Sequence, residues 1–271
     1  MHRQRVLTAL ILLPLVLSGL LWGGNTFFSA LILSVSLLCL FEYYQMAFPS
    51  RPLICALGII MGLVTPALAV YFRQESHVLF GIFLVFFFSA LVTLFGYSSF
   101  KNPLASLMSL VFGAAYIGLC SGLIALIRYI PYGREWIFFL LIVVFAADTG
   151  AYYVGKTVGK RKLCSSISKG KTVEGAVGGL FFSALGAVFS WALFFNFFDL
   201  RLLVPLAVLL ALISQVGDLV ESIVKRAFGL KDSGRLLPGH GGVFDRVDAL
   251  LLAGPVLFWV LYFSQGNFYM G

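Results

Sequence analysis

Residues 214–248 read SQVGDLVESIVKRAFGLKDSGRLLPGHGGVFDRVD and lie between two long apolar runs. This stretch holds ten of the charged residues in a chain with only 19 basic and 11 acidic side chains. Charge beside hydrocarbon is costly, so by default it marks a functional site. Carboxylates suit a metal ion, and the basic residues between them suit phosphate. The stretch therefore predicts chemistry on a phosphate at a membrane surface.

The composition around this stretch is that of a membrane protein. The chain is 61% hydrophobic and 11% charged, with a mean hydropathy of +1.01, whereas soluble domains are about 25% charged. We therefore predict an all-α, polytopic integral membrane protein. The net charge of +8 is explained by loop orientation, so no nucleic-acid partner is predicted. The four cysteines include no CxxC pair, which argues against a disulfide framework or a zinc site.

Apolar runs of about 20 residues predict the transmembrane helices. Nine are predicted, near residues 6–22, 27–48, 53–72, 77–97, 104–127, 135–155, 173–198, 202–222 and 247–264. The first is interpreted as an uncleaved helix, because no small-residue cleavage site follows it. With the N-terminus in the cytoplasm, 15 of the 19 Lys and Arg residues lie on the cytoplasmic side. This distribution obeys the positive-inside rule and predicts a multi-pass protein of the plasma membrane or cell inner membrane.

The charges also divide the chain into two functional regions. Residues 1–130 are predicted to be N-terminal transmembrane helices for lipid contact, packing and dimer formation. Residues 131–271 are predicted to be the catalytic region, with cytoplasmic loops at 156–172 and 225–244. Within the first region, Glu42 is interpreted as a helix-end residue rather than a contact for lipid headgroups.

Acidic residues share faces at two predicted helix ends. Asp218, Glu221 and Lys225 follow i, i+3 and i+7 spacing, which places them on one helical face. Asp245 and Asp248 open the last predicted span. One acid there can cap the free N–H groups of the helix start, which leaves the other for a cation. For the face that carries Asp218 and Glu221, the alternative to a functional site is a solvated helix end with local ion pairs.

Two further segments carry polar groups. Asp148 lies inside an apolar helix and must be neutralised by a metal ion, by a base on another helix or by a proton. The basic run in 156–172 either fixes the topology or binds anionic lipid heads. Residues 168–172 read SKGKT, but they lack the GxxxxGK[ST] spacing of a P-loop and follow no predicted strand. A P-loop is therefore not predicted.

With these residues in view, the chain resembles the phosphatidate cytidylyltransferase family, also called CDP-diacylglycerol synthases. Residues 222–248 fill every fixed position of the pattern S-x-V-K-R-x4-K-D-x-G-x2-L-P-x-H-G-G-x2-D-R-x-D. Two weaker stretches agree, DTGAY at 148–152 and residues 168–175, although Lys169 stands where the family usually has proline. The resemblance covers roughly residues 145–250.

The resemblance implies transfer of a cytidylyl group from CTP to phosphatidate, giving CDP-diacylglycerol and pyrophosphate for phospholipid biosynthesis. It implies a Mg²⁺ cofactor, with a second cation as an option, a homodimer and an active site facing the cytoplasm. The metal ligands would be Asp218, Asp245 and Asp248. Lys225, Arg226 and Arg246 would join them as catalytic contacts to phosphate. The substrate-binding residues would be Asp148, Ser168, Lys171, Thr172, Glu174, Lys231, Asp232, His240, Gly241 and Gly242.

Two other classes of protein remain as alternatives. A secondary transporter would carry carboxylates near the membrane midplane, often in related repeats, but here they cluster at one face and no repeat is visible. A CTP-using polyprenol or phytol kinase would release CDP instead of pyrophosphate. The CDP-alcohol phosphatidyltransferases fit less well, because their DxxDGxxAR pattern is absent.

Overall fold

Eight long helices dominate the computed structural model of the chain, which describes residues 17–234, 236 and 241–264. They are α1 (Gly24–Ala47), α2 (Pro52–Phe72), α3 (Glu75–Phe95), α4 (Pro103–Ile127), α5 (Gly133–Thr157), α6 (Val173–Phe194), α7 (Leu200–Ala227) and α8 (Phe244–Phe263). Each is long and apolar enough to cross a membrane. This confirms the predicted all-α, polytopic membrane protein. The first predicted span, 6–22, lies largely outside the described residues, so the total of nine and the cytoplasmic N-terminus stay predictions.

Proline and polar caps set several of the helix starts. Proline is the first residue of α2 and α4, where its missing N–H costs nothing and its fixed φ suits the helix. The side chain of Asn102 caps α4 by accepting a hydrogen bond from Ala105 N at 3.1 Å. Thr172 caps α6 in the same way through Gly175 N, also at 3.1 Å.

The helix α4 contains a π-helical turn, Ala114–Leu119. Two tyrosines of α1 hydrogen-bond to α4 just before this turn. Tyr43 donates to the carbonyl of Ser109 at 3.0 Å, and Tyr44 donates to that of Leu110 at 2.7 Å. Turns of this kind often lie at functional positions in helices. Here the two tyrosine hydrogen bonds hold α1 against the part of α4 that precedes the π-helical turn.

The chain forms two compact units. The first contains the described residues up to Ile130 together with those of Phe228–Arg246, and the second contains Pro131–Ala227 and the described residues from Val247. The segment Phe228–Arg246 therefore packs with helices α1 to α4, although it follows α7 in sequence. The functional division predicted at residue 130 stays a prediction.

A β-hairpin lies where the sequence predicts a plain loop. Strands β1 (Lys162–Cys164) and β2 (Ser168–Thr172) pair antiparallel, with Lys162 opposite Thr172. The carboxylate of Glu174 accepts hydrogen bonds from the backbone N–H groups of Lys160 and Arg161, at 3.0 and 3.1 Å. The SKGKT segment that was compared with a phosphate loop is thus a strand that leads directly into α6.

The last two helices extend beyond the predicted spans. Helix α7 continues to Ala227, five residues past the predicted end at 222, and α8 begins at Phe244 rather than 247. Lys225 and Arg226 are therefore helical, not part of the loop predicted to start at 225. Hydropathy locates the apolar part of a helix, whereas backbone hydrogen bonding continues through its polar end.

Candidate active site

Three carboxylates from α7 and α8 meet in the second unit. One oxygen each of Asp218, Glu221 and Asp248 lies within 4.8 Å of the others. Glu221 is fully buried, and the Asp218 side chain is 39% exposed. The helices approach closely at Gly217, where a Cβ atom would lie only 2.7 Å from the carbonyl oxygen of Asp248. Glycine at this position therefore allows α7 to bring its acids to Asp248.

Two lysines partly balance this carboxylate group. Lys225 Nζ lies 2.5 Å from Glu221 Oε2, one turn along α7. Lys171 Nζ, from β2, lies 2.6 Å from Asp218 Oδ2. Asp148 of α5 also interacts electrostatically with Asp218 and Lys171. These contacts bring four carboxylates and two ammonium groups together.

A cavity of about 500 Å³ opens beside Asp148 and Asp218. Its walls come from α5, the hairpin, α6 and α7, and its polar lining includes Tyr152, Lys156, Lys171, Thr172 and Gln215. Gln215 also joins α7 to α6, because its Nε2 donates to the Ala176 carbonyl at 3.2 Å. The volume falls in the usual range for small-molecule sites.

The donor set fits a hard divalent cation. The ligands that Asp218, Glu221 and Asp248 offer are carboxylate oxygens, which Mg²⁺ and Ca²⁺ prefer over nitrogen and sulfur ligands. A divalent ion would also offset the mutual repulsion of these three carboxylates. The residues present therefore suit the predicted cofactor, although its binding stays a prediction.

The segment Phe228–Arg246, here called the signature segment, forms a second polar cluster, in the first unit. Asp245 Oδ2 accepts hydrogen bonds from Ser233 N at 3.1 Å, Ser233 Oγ at 3.0 Å and Gly242 N at 3.0 Å. Gly241 between them has a φ of +81°. Asp245 thus links the part of the segment around Ser233 to the part around Gly242. Its predicted role as a metal ligand stays a prediction.

A comparison with protein families agrees with the sequence pattern to which these residues belong. The profile of the cytidylyltransferase family matches residues 3–264. The chain belongs to this family.

Curated relatives of this cytidylyltransferase match it over nearly its whole length. A Bacillus subtilis (strain 168) protein named phosphatidate cytidylyltransferase is 34% identical over 269 residues, which cover 96% of this chain and 97% of the relative. A Staphylococcus saprophyticus protein of the same name is 38% identical over 261 residues, covering 94% of this chain and 97% of the relative. One from Staphylococcus aureus (strain COL) is 37% identical over 262 residues, with the same coverage.

The structure of this cytidylyltransferase places the other predicted site residues in three settings. Asp148, Lys171 and Thr172 line the cavity. Ser168 lies in β2 outside the cavity lining, and the Glu174 carboxylate is occupied by backbone N–H groups of the hairpin. The remaining described residues are exposed side chains, namely Arg226 on α7, Arg246 on α8, and Lys231 and Asp232 in the signature segment. His240 lies outside the described residues.

Three polar residues of this cytidylyltransferase were not predicted as site residues. Glu221 was placed on the helical face of Asp218 by its spacing, but it was not included among the predicted metal ligands. Gln215 carries no signal in the sequence, because only the packing of α7 on α6 brings it to the cavity. Glu42, interpreted as a helix-end residue, lies near the end of α1, where it is buried and accepts hydrogen bonds from residues 233–244. A carboxylate in an apolar helix was the signal for it.

Proposed function

We propose that the chain transfers the cytidylyl group of CTP to phosphatidate, giving CDP-diacylglycerol and pyrophosphate. The observation that carries this proposal is the cluster of three carboxylates, Asp218, Glu221 and Asp248. Two lysines contact this cluster, and the cavity beside it has the size of a small-molecule site. The relatives that bear the name phosphatidate cytidylyltransferase support it, because they match the chain from end to end.

The reaction requires little acid–base chemistry from the protein. A phosphate oxygen of phosphatidate attacks the α-phosphorus of CTP, and a new P–O bond forms. The bond from that phosphorus to the oxygen that bridges to the β-phosphate breaks, and pyrophosphate leaves with the electron pair. The attacking phosphate is largely ionised at neutral pH, because the second pKa of a phosphomonoester is about 6. The main obstacle is therefore repulsion between two highly charged anions.

The side chains of the second unit address this repulsion. Lys171 lines the cavity and touches Asp218, so its ammonium group can contact a phosphate that enters there. Lys225 holds the buried Glu221 in place. Asp218, Glu221 and Asp248 would hold Mg²⁺. When bound, the ion supplies positive charge to the triphosphate and its transition state.

The substrates come from different phases, which favours a site at the membrane boundary. Phosphatidate must enter from the bilayer, and CTP must enter from water. The positive-inside distribution supports a site on the cytoplasmic face of the plasma membrane. The homodimer that the resemblance implies is part of the same proposal, and crosslinking in native membranes tests it.

Product analysis tests the activity directly. The purified protein is incubated with phosphatidate, Mg²⁺ and CTP labelled at the α-phosphate. We expect the label in CDP-diacylglycerol and unlabelled pyrophosphate in solution. Release of CDP with an unlabelled lipid would instead indicate a kinase, and uptake into liposomes without CTP consumption would indicate a transporter. An arm with EDTA tests Mg²⁺ dependence separately, and Asp218→Asn should abolish turnover in the arm with Mg²⁺.

A further inference from the structure

A buried carboxylate of the first unit has no role in the chemistry described so far. Glu42 of α1 is only 2% exposed. Its oxygens accept hydrogen bonds from Val243 N at 3.0 Å and Phe244 N at 2.9 Å, and Ser233 Oγ, whose single proton is shared between Glu42 and Asp245, lies 3.0 Å from its Oε2. Burying a carboxylate is costly unless such donors compensate it. All three donors belong to the signature segment.

Two of these donors lie at the start of α8. The first N–H groups of a helix have no partner within it and carry the positive end of the helix dipole. Glu42 supplies the acceptors for Val243 N and Phe244 N from a distant part of the chain. A negative charge at this position both satisfies these groups and fixes where α8 begins.

The third donor connects Glu42 to Asp245. Ser233 Oγ lies 3.0 Å from Glu42 Oε2 and also 3.0 Å from Asp245 Oδ2, and Ser233 is 6% exposed. One hydroxyl thus joins a carboxylate of α1 to a carboxylate of the signature. Ser233 therefore contacts both acids, and Asp245 also accepts a hydrogen bond from Gly242 N at 3.0 Å.

The shape of the segment is also fitted to Glu42. A Cβ atom on Gly242 would collide with Ser233 Oγ and with the Glu42 carboxylate. Neighbouring aromatic residues pack against both ends of the segment. Tyr43 contacts Phe228, and Tyr116 contacts Phe244, each edge to face at a centroid distance of 6.0 Å. Glycine at position 242 is therefore explained by the close approach of a carboxylate from α1.

We propose that Glu42 is a positioning residue for the cytidylyl transfer. It fixes Ser233 and the start of α8, and through them it sets the position of Asp245 in the signature segment. This proposal rests on the proposed function, because it concerns the geometry that the reaction needs. It assigns a role in the reaction to α1, within a region predicted to serve lipid contact, packing and dimer formation.

The test compares Glu42→Gln and Ser233→Ala with the wild type and with a matched control, Glu135→Gln. Glu135 lies in α5 and forms a surface ion pair with Arg134 at 2.8 Å. Glutamine at position 42 keeps the size of the side chain but replaces one acceptor oxygen with an NH₂ donor that faces another donor. Three quantities are measured in detergent, namely the hydrogen exchange of peptides containing residues 242–244, the kcat and the KM for CTP.

We expect Glu42→Gln to raise exchange at these amides by roughly tenfold or more, because a charge-assisted acceptor is lost. The kcat should fall on the order of 100-fold, as for other displacements of groups near the chemistry. The KM for CTP should change by less than about threefold, since the substrate contacts remain. A general loss of folded protein would instead lower the active fraction and leave the kcat per folded molecule unchanged. Glu135→Gln should match the wild type in every measurement.

Exchange and kcat of Glu42→Gln within about twofold of the wild type would overturn the proposal. If Glu42→Gln does not fold, Ser233→Ala carries the test. That variant keeps both amide contacts of Glu42 and removes only its link to Asp245, so we expect a drop in kcat of about tenfold, and an unchanged kcat would overturn the proposal. If the wild type makes no CDP-diacylglycerol, the proposed function fails, whereas hydrogen exchange still decides whether Glu42 fixes the segment.

Discussion

Replacing Asp248 with asparagine should make the protein more stable than the wild type without metal, and less stable than the wild type in Mg²⁺. In the metal-free state, Asp248 shares a small space with Asp218 and Glu221. Removing its charge then relieves repulsion and should stabilise the fold. With Mg²⁺ present, the same substitution removes one of three ligands and should cost stability.

The magnitude for the metal-free state follows from the geometry. Two unit charges 4.8 Å apart repel by about 3 kcal/mol at an effective dielectric constant of 20. Lys171 and Lys225 offset much of this repulsion, and solvent at the 39% exposed Asp218 side chain screens more of it. A net gain on the order of 1 kcal/mol remains for Asp248→Asn in EDTA.

The magnitude for the bound state follows from mass action. An ion present at 100 times its Kd stabilises the native protein by about 2.7 kcal/mol. For a chain of this size, 1 kcal/mol corresponds to roughly 2 °C in the Tm. The wild type should therefore gain about 5 °C from Mg²⁺. Asp248→Asn should gain little, so its Tm is higher than that of the wild type in EDTA and lower in Mg²⁺.

Intrinsic fluorescence melting in detergent measures the Tm of the wild type and of the variant, in EDTA and in Mg²⁺. One fixed scan rate is used, because only relative Tm values are meaningful when unfolding is irreversible. Asp199→Asn is the control. Asp199 is exposed before α7 and accepts a hydrogen bond from Arg201 N, so its variant should respond to Mg²⁺ like the wild type. An Asp248→Asn protein that is less stable in EDTA, or that gains as much from Mg²⁺ as the wild type, would refute the reasoning.

The hairpin supports two further predictions. Lys171→Gln should lower kcat/KM for CTP by roughly tenfold or more, because an ammonium group leaves the cavity; the exposed Lys169→Gln on the same strand is the control, and equal losses in both variants would contradict a specific role for Lys171. Glu174→Gln should loosen the hairpin, because it weakens the contacts to Lys160 N and Arg161 N. Trypsin should then cleave between residues 160 and 171 several-fold faster than in the wild type. Unchanged cleavage would show that the Glu174 contacts do not stabilise the hairpin.

Much of the architecture could be predicted because one physical requirement dominates it. A membrane-spanning helix needs a long apolar run, and eight of the predicted runs coincide with described helices to within a few residues. The metal ligands predicted from the sequence are Asp218, Asp245 and Asp248, and two of them, Asp218 and Asp248, lie close together in the structure, while the role of Asp245 stays a prediction. What hydropathy could not locate was the end of each helix, as the continuation of α7 to Ala227 illustrates.

Contacts between segments distant in sequence were the part that could not be predicted. The hairpin depends on Glu174 holding the N–H groups of Lys160 and Arg161, and neither strand is long or alternating enough to be recognised alone. Gln215 reaches the cavity only because α7 packs on α6. Glu42 and Ser233 are 191 positions apart, and nothing in a single sequence pairs them.

Two buried acids among the described residues, Glu221 and Glu42, differ in how their charge is compensated, and this difference assigns them different roles. Glu221 is paired with an ammonium group and lies beside two further carboxylates, so its surroundings still favour an added cation. Glu42 is surrounded by N–H and O–H donors, so a cation there would have to compete with these hydrogen bonds. An acid whose charge is compensated by N–H and O–H dipoles can hold a backbone segment in place, whereas an acid in a cluster of carboxylates can bind an ion. The partners of a buried carboxylate, more than its position along a helix, therefore indicate which part of the reaction it serves.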